Sequence, residues 1–190
     1  MSDAGSRGIA FRAMREPDLA MLVGWRSAPH VLAWFRDPPK DVDEARARYA
    51  ERLAGEHPTC MWVVEVEGEP VGYVQDFPVA SDDDLAVRVQ LPGAVGFDYL
   101  IGRPDLIGAG LGTRMVAAYL TDVLLAAYPD APWFVACPDA RNAASLRVLG
   151  KLGFEQRQWI QMPGEDYADI VCRLARDGVH RLLPTSNQSC

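Results

Sequence analysis

Long apolar runs are missing from this chain, and their absence narrows its setting. The most apolar helical candidate is interrupted by Thr121-Asp122, so no segment reads as membrane-spanning. Met1 to Gly8 is polar and lacks the apolar core of a secretory signal. Positive charge is also short: 19 Lys and Arg stand against 26 Asp and Glu, a formal net charge of −7. That balance argues against nucleic acid as a partner and leaves room for cationic ligands. Cysteine is sparse. Cys60, Cys137, Cys172 and Cys190 are scattered without metal-ligand spacing, so we expect no metal site and reduced thiols in a cytoplasmic protein. The remainder is ordinary for a globular protein, with 190 residues, 49% hydrophobic and 24% charged. One domain with a sizeable core is expected over residues 8–176, flanked by flexible termini at 1–7 and 185–190. A monomer and a homodimer are both compatible with this composition.

The most informative stretch is Ile107-Gly108-Ala109-Gly110-Leu111-Gly112-Thr113, followed by an apolar-periodic segment from Met115 to Tyr128. Glycines let a backbone come within hydrogen-bonding distance of a ligand. The amides that open a helix lack internal partners and face the positive end of its dipole, which suits a pyrophosphate. Glycine-rich turns before helices also arise for packing alone. A P-loop would need Lys and then Ser or Thr after its last glycine, whereas Gly112 is followed by Thr113 and Arg114. A dinucleotide-binding fold would place the loop after its first strand, not past the middle of the chain. A different phosphate-bearing cofactor is implied.

Periodicity supplies the frame. Gly8 to Met14 alternates as a strand, and a helix starts at Pro17-Asp18, with Leu19, Leu22, Val23 and Trp25 on one face. Pro29 interrupts it, and His30 to Phe35 suits a short helical turn. Asp41 to Glu56 is amphipathic, with Val42, Ala45, Tyr49 and Leu53 on one stripe. Cys60 to Val66 and Val71 to Val79 are strand-like around the turn signal Glu67-Gly68-Glu69-Pro70. Ser81 to Asp84 reads as a loop, and Ala94 to Ile101 as an apolar strand leading to the glycine loop. Pro132 to Cys137 reads as a strand and Asn142 to Leu152 as a helix that Gly153 can end. Phe154 to Met162 and Tyr167 to Leu174 suit a final hairpin around Pro163-Gly164. The fold class is therefore α+β, a three-layer arrangement. Its mixed, mostly antiparallel sheet has about six to seven strands with helices on both faces.

This order, together with the loop, resembles the GNAT family of acetyl-CoA-dependent N-acetyltransferases. The family's loop reads Gln/Arg-x-x-Gly-x-Gly/Ala, which Ile107 to Gly112 matches except for Ile107 itself. A second match is Asp139-Ala140-Arg141-Asn142-Ala143-Ala144-Ser145, ending at Leu152-Gly153-Phe154. Within the family, the chain is similar to aminoglycoside 6′-N-acetyltransferases from about Phe11 to Leu174. The matching stretches are Asp18 to Leu22 with Trp25, then His30 and Trp34, Gly68 to Tyr73 with Gln75, and Gly96-Phe97-Asp98. Siderophore-type lysine acyltransferases share several of these features.

The resemblance implies acetyl-CoA as cofactor and a small cationic amine as acceptor. The loop Gly108, Ala109, Gly110, Leu111, Gly112 and Thr113 would hold the pyrophosphate, and Asn142 would lie near the pantetheine arm. Asn142 is equally suited to a helix N-cap. Pantetheine would run along Tyr99, Leu100 and Ile101 as an added strand, with backbone N–H near Tyr99 and Leu100 meeting the oxyanion. Asp98 interrupts the apolar run Val95 to Ile101 and matches the family's acidic residue beside the amine. It is expected to act as base, directly or through water, unless it points outward. Leu149 stands where the family often has a Tyr that protonates the leaving thiolate, so that role has no candidate. Asp82, Asp83 and Asp84, together with Glu165 and Asp166, are expected to bind a polycation, or else to be solvated loops. Cys137 replaces an acidic position of the family. Trp25, Trp34, Phe35 and Trp62 are candidates to line the cleft, though aromatics also fill cores. The expected function is aminoglycoside 6′-N-acetylation. The alternatives are lysine or hydroxylysine N-acylation of siderophore type, or acyl-CoA binding without turnover.

Overall fold

The computed structural model describes residues 8–183. The expectations for residues 1–7, for 185–190 and for Cys190 lie outside them. Strand β1 (Ile9–Ala13) leads through a 3₁₀ turn into α1 (Leu19–Arg26), short α2 (Pro29–Leu32) and α3 (Val42–Ala54). Then come β2 (Cys60–Val66), β3 (Glu69–Pro78), α4 (Asp83–Val89) and β4 (Val95–Ile101). Helix α5 (Leu111–Ala118) continues as a π-helical turn (Tyr119–Leu124) and a last short helix, α6 (Leu125–Ala127). The chain ends with β5 (Trp133–Ala136), α7 (Ala143–Lys151), β6 (Glu155–Ile160), β7 (Asp169–Ala175) and α8 (Arg176–His180).

The seven strands form one sheet in the order β1-β2-β3-β4-β5-β7-β6. Every neighbouring pair is antiparallel except β4 and β5. Local chemistry accounts for the element ends. Asp41 caps α3 by accepting from the Glu44 amide at 2.8 Å, and Gly55 ends the helix at φ 75°. Asn142 caps α7 in the same way, accepting from the Ser145 amide at 3.0 Å. The β2–β3 turn places both Glu67 and Gly68 at positive φ, the conformation that matches the twist of a tight hairpin.

Helices cover both faces of the sheet. One core packs α5, the π-helical turn and α7 against Val64, Val74, Val95 and Phe97. The opposite face carries α1 and α3 over Met61, Val63, Tyr73 and Leu100, while α4 covers Val79, Val135 and Val171. Two expectations need correction. The aspartate run after Ser81 is not a loop: Asp82 caps α4 through the Leu85 amide at 3.0 Å, and Asp83 and Asp84 occupy its first turn. Acidic side chains at a helix N-terminus are favoured by its dipole, which is why a charged run folds as a helix start here. The last hairpin closes later than expected, because β7 starts at Asp169 and residues 161–168 form the connection. Among the described residues, no helix is long and apolar enough to cross a membrane.

Candidate active site

The parallel junction creates the site. Strands β4 and β5 pair only at Val95 with Phe134 and at Gly96 with Val135. Beyond these residues β4 runs on to Ile101, whereas β5 stops at Ala136, two residues before Pro138, which has no amide to continue a ladder. The strands separate, and a cavity of about 760 Å³ opens between them. It is bounded by the glycine loop and α7 at one end. At the other end lie the α2 turn and the β6–β7 connection.

The glycine end has the features of an anion cradle. Gly108 and Gly110 adopt positive φ, 83° and 80°, with open space where a Cβ would stand. Gly112 differs, since a Cβ there would meet the Val148 side chain at 3.3 Å, so its smallness also serves α5–α7 packing. Gly108, Gly110, Gly112 and Thr113 line the cavity at the start of α5, whose first amides have no intrahelical partner. Across from them α7 presents Asn142, Ser145, Arg147 and Lys151, the last two cations one helical turn apart. Loop amides, room above the loop and two cations fit the phosphates of a nucleotide cofactor.

The edge of β4 that faces the cavity is free beyond Gly96. Gly102 N–H donates to Val71 C=O at 2.9 Å, which sets the parity of the β3–β4 ladder. Alternation then turns the peptide groups of Asp98 and Leu100 toward β3 and those of Tyr99 and Ile101 toward the cleft. His30 Nε2 lies 2.9 Å from the Ile101 carbonyl and occupies that acceptor. The free edge thus presents the groups of Tyr99 and the Ile101 N–H. Leu100, expected among the cofactor contacts, lines the cavity but turns its peptide groups away.

The other end is acidic. Asp98 retains partial contact with the cleft and is otherwise enclosed by protein; burial raises its pKa, opposed by its Gln75 hydrogen bond and the charges of Arg26 and Arg52. Gln75 is oriented by donors on its oxygen, the Tyr73 hydroxyl and Arg52 Nη1 (3.2 Å), so its Nε2 donates to Asp98 Oδ2 at 2.6 Å. Asp139 accepts from Arg141 Nη2 (2.7 Å), the Arg141 amide (2.9 Å) and Arg36 Nη2 (3.1 Å), which hold it well below the usual carboxylate range. Asp169 has no such partner. Burial, followed by the charges of Glu165, Asp139 and Asp98, pushes its pKa up to about 7. Cys137 lies among these carboxylates, and burial raises its thiol far above the ordinary range.

The expected residues divide accordingly. Asp98, Tyr99, Ile101, Gly108, Gly110, Gly112, Thr113, Asn142, Trp34, Phe35 and Glu165 all line this one cavity. Leu111 does not, because its side chain is buried in the core, and Ala109 faces solvent. Trp25 packs beneath Gly102, where a Cβ would meet its ring at 2.3 Å. Trp62 donates its indole N–H to Asp76 at 2.8 Å on another part of the sheet. Asp82, Asp83, Asp84 and Asp166 are exposed outside the cavity lining. Leu149 is fully buried in the core. Sequence reasoning missed Asp169, Arg36 and Tyr167. Asp169 carried a readable signal, a carboxylate at the head of the apolar run Ile170-Val171-Cys172, much as Asp98 interrupts its own strand.

Comparison with known proteins adds to this geometry. The profile of a family described as acetyltransferase (GNAT) domain matches residues 15–162. An aminoglycoside N(6′)-acetyltransferase type 1 of Klebsiella pneumoniae is 27% identical over 158 residues, 82% of this chain and 78% of that protein. An N-hydroxyputrescine acetyltransferase of Acinetobacter baumannii is 25% identical over 146 residues, 76% of this chain and 67% of that protein. A solved structure of AAC(6′)-Ib with paromomycin and acetyl-CoA superposes with a TM-score of 0.81 at 25% identity, covering 96% of this chain and 99% of that one.

Proposed function

Because the chain belongs to the GNAT acetyltransferase family and is an acetyl-CoA-dependent N-acetyltransferase, we propose that its acceptor is an aminoglycoside, acetylated on the 6′-amine. The observation that carries this reading is the acceptor end of the cleft, where Asp98 and Asp169 converge without a salt-bridge partner among the described residues. Unpaired carboxylates in a partly buried site are costly, and a ligand with several ammonium groups relieves that cost. The similarity to proteins named as aminoglycoside acetyltransferases, one solved with paromomycin, supports the same choice.

Acetyl-CoA supplies an activated acetyl thioester. Gly108, Gly110, Gly112 and Thr113 would hold its pyrophosphate, with Arg147 and Lys151 near its phosphates and the free edge of β4 beside its pantetheine arm. The acceptor enters as an ammonium, since primary amines are mostly protonated at neutral pH. Asp98 takes that proton, directly or through water, with its carboxylate fixed by Gln75. The Tyr99 N–H, turned to the cleft, would be the donor available to a thioester carbonyl oxygen there. Leu149, aliphatic and buried, could offer no proton to a coenzyme A thiolate, which would have to leave without a protein acid at that position.

Thiol release from acetyl-CoA, measured with kanamycin, tobramycin, lysine and hydroxylysine, tests the proposal, with NMR of the product to locate the acetyl group. Turnover on the aminoglycosides with acetylation at the 6′-position is expected. Turnover on hydroxylysine alone overturns it in favour of the siderophore-type reading.

A further inference from the structure

Two buried polar atoms at the acceptor end of the cleft have no partner in the protein: Arg36 Nη1 and Glu165 Oε2. Orphans of this kind are rare, and each points to a group that the chain itself does not supply. Tyr167 connects them. The Arg36 guanidinium lies 3.5 Å from the Tyr167 ring centroid, and the Tyr167 hydroxyl donates to the other oxygen of Glu165. Arg36 is held further by its Nη2 bond to Asp139 at 3.1 Å and by the Arg26 Nη2 bond to its own carbonyl at 2.9 Å. The guanidinium is fixed in place with its buried Nη1 unused.

A lone donor and a lone acceptor flanking one tyrosine complement a hydroxyl, which accepts through its oxygen and donates through its hydrogen. An ammonium group would satisfy Glu165 but be repelled by Arg36, and a carboxylate would meet the reverse. We infer that Arg36, Tyr167 and Glu165 form a hydroxyl-reading subsite of the acceptor pocket, which selects amino alcohols and aminated sugars over bare polyamines. This deepens the aminoglycoside reading and rests on it. Asp98 and Asp169 attract cationic groups, while Arg36 demands that an oxygen accompany them.

The test compares kcat/KM for kanamycin and for spermidine, a polyamine without oxygen, in the wild type, Arg36→Leu, Arg36→Lys and Tyr167→Phe, with a thermal midpoint for each. Arg36→Leu is expected to lower kcat/KM for kanamycin about tenfold, mostly through KM, as for one lost charge-assisted hydrogen bond. Spermidine should be used equally well or better, because losing a cation cannot weaken a polyamine. Arg36→Lys keeps the charge but not the planar fork, and should lose kanamycin to a similar extent. Parallel losses on both acceptors with a lowered midpoint would reduce Arg36 to a structural tie. Gains on both would make it a mere cation repellent. Either result overturns the subsite. If the wild type acetylates no aminoglycoside, that functional reading fails by itself, and binding of ethanolamine against ethylamine decides the subsite. A preference for ethanolamine that Arg36→Leu abolishes sustains it, and equal binding removes it.

Discussion

Replacing Asp98 with Asn separates chemistry from folding at one atom. Asparagine keeps the shape, and its oxygen can accept the Gln75 Nε2 bond now made at 2.6 Å, so the Tyr73–Gln75–Arg52 arrangement has no reason to move. Burial raises the Asp98 pKa, so its folded value lies above its unfolded one. A carboxyl of that kind contributes stability while protonated, in acid, and loses it as pH rises through the folded pKa. The variant should therefore unfold at the same temperature or a higher one at neutral pH, and the difference should vanish in acid. Turnover should respond in the opposite sense. A positioned base contributes about 10²–10⁴-fold, so kcat should fall at least about a hundredfold, roughly 2.7 kcal/mol of barrier. Thiol release at saturating acetyl-CoA measures the loss, and calorimetry with acetyl-CoA is expected to show no change. The wild type should lose kcat on the acid side as Asp98 protonates, a limb the variant lacks. Unchanged kcat, or a parallel loss of cofactor affinity, would refute the assignment of Asp98 as base.

Asp169, with a pKa near 7, is mostly protonated below that pH and ionised above it. KM for a polycationic acceptor should fall as pH rises through about 7, a dependence that Asp169→Asn flattens; an unaltered profile would place the titration elsewhere. Gly110→Val puts a β-branched residue at φ 80°, where strain costs about 1–2 kcal/mol, although its Cβ meets open space. Acetyl-CoA affinity should drop well beyond that stability loss, and a shift in thermal midpoint alone would mean that the glycine serves the turn. Asp76 accepts from Trp62 Nε1 and from the Tyr119 and Tyr128 hydroxyls, so Asp76→Ala should cost about 3 kcal/mol in urea unfolding through orphaned donors. A change near zero would contradict that network. Asp82, Asp83 and Asp84 changed together to Asn should leave KM for kanamycin unaltered at low salt, because they begin α4 away from the cavity. A raised KM would return them to the acceptor site.

Much of the fold was legible because its signals are local. The stripe Val42, Ala45, Tyr49 and Leu53, the turn at Glu67-Gly68 and the capping Asn142 each specify their element within a few residues. The aspartate run misled because charge was read as solvation, when Asp82 is an N-cap and the apolar face of α4 lies just beyond it. The tryptophans misled for a related reason. Trp25 and Trp62 carry the same apolar payload as Trp34, and only packing decides that one lies under Gly102, one bonds Asp76 and one lines the cleft.

The two halves of the cleft differed in legibility for a topological reason. Parallel strands cannot be joined by a tight turn, so β4 must cross over through a helix before β5 can pair with it. The end of β4, the glycine loop and the start of α5 are therefore consecutive in the chain, and most of the cofactor end could be read as one motif from Tyr99 to Thr113. The acceptor end has no such continuity. Arg36 comes from the segment after α2, Asp98 from β4, Asp139 from the turn after β5, and Glu165 and Asp169 from the last hairpin. Arg36, Asp139 and Glu165, read alone, resemble ordinary surface charges. Only the separation of β4 from β5 brings them to one cavity, where burial lifts Asp169 and paired arginines hold Asp139 ionised. On the proposed reading, much of the cofactor end comes from one stretch of chain and the acceptor end from tertiary assembly, so substitutions at Arg36, Glu165 or Asp169 are expected to change the substrate while Asp98 and the glycine loop keep the transfer chemistry.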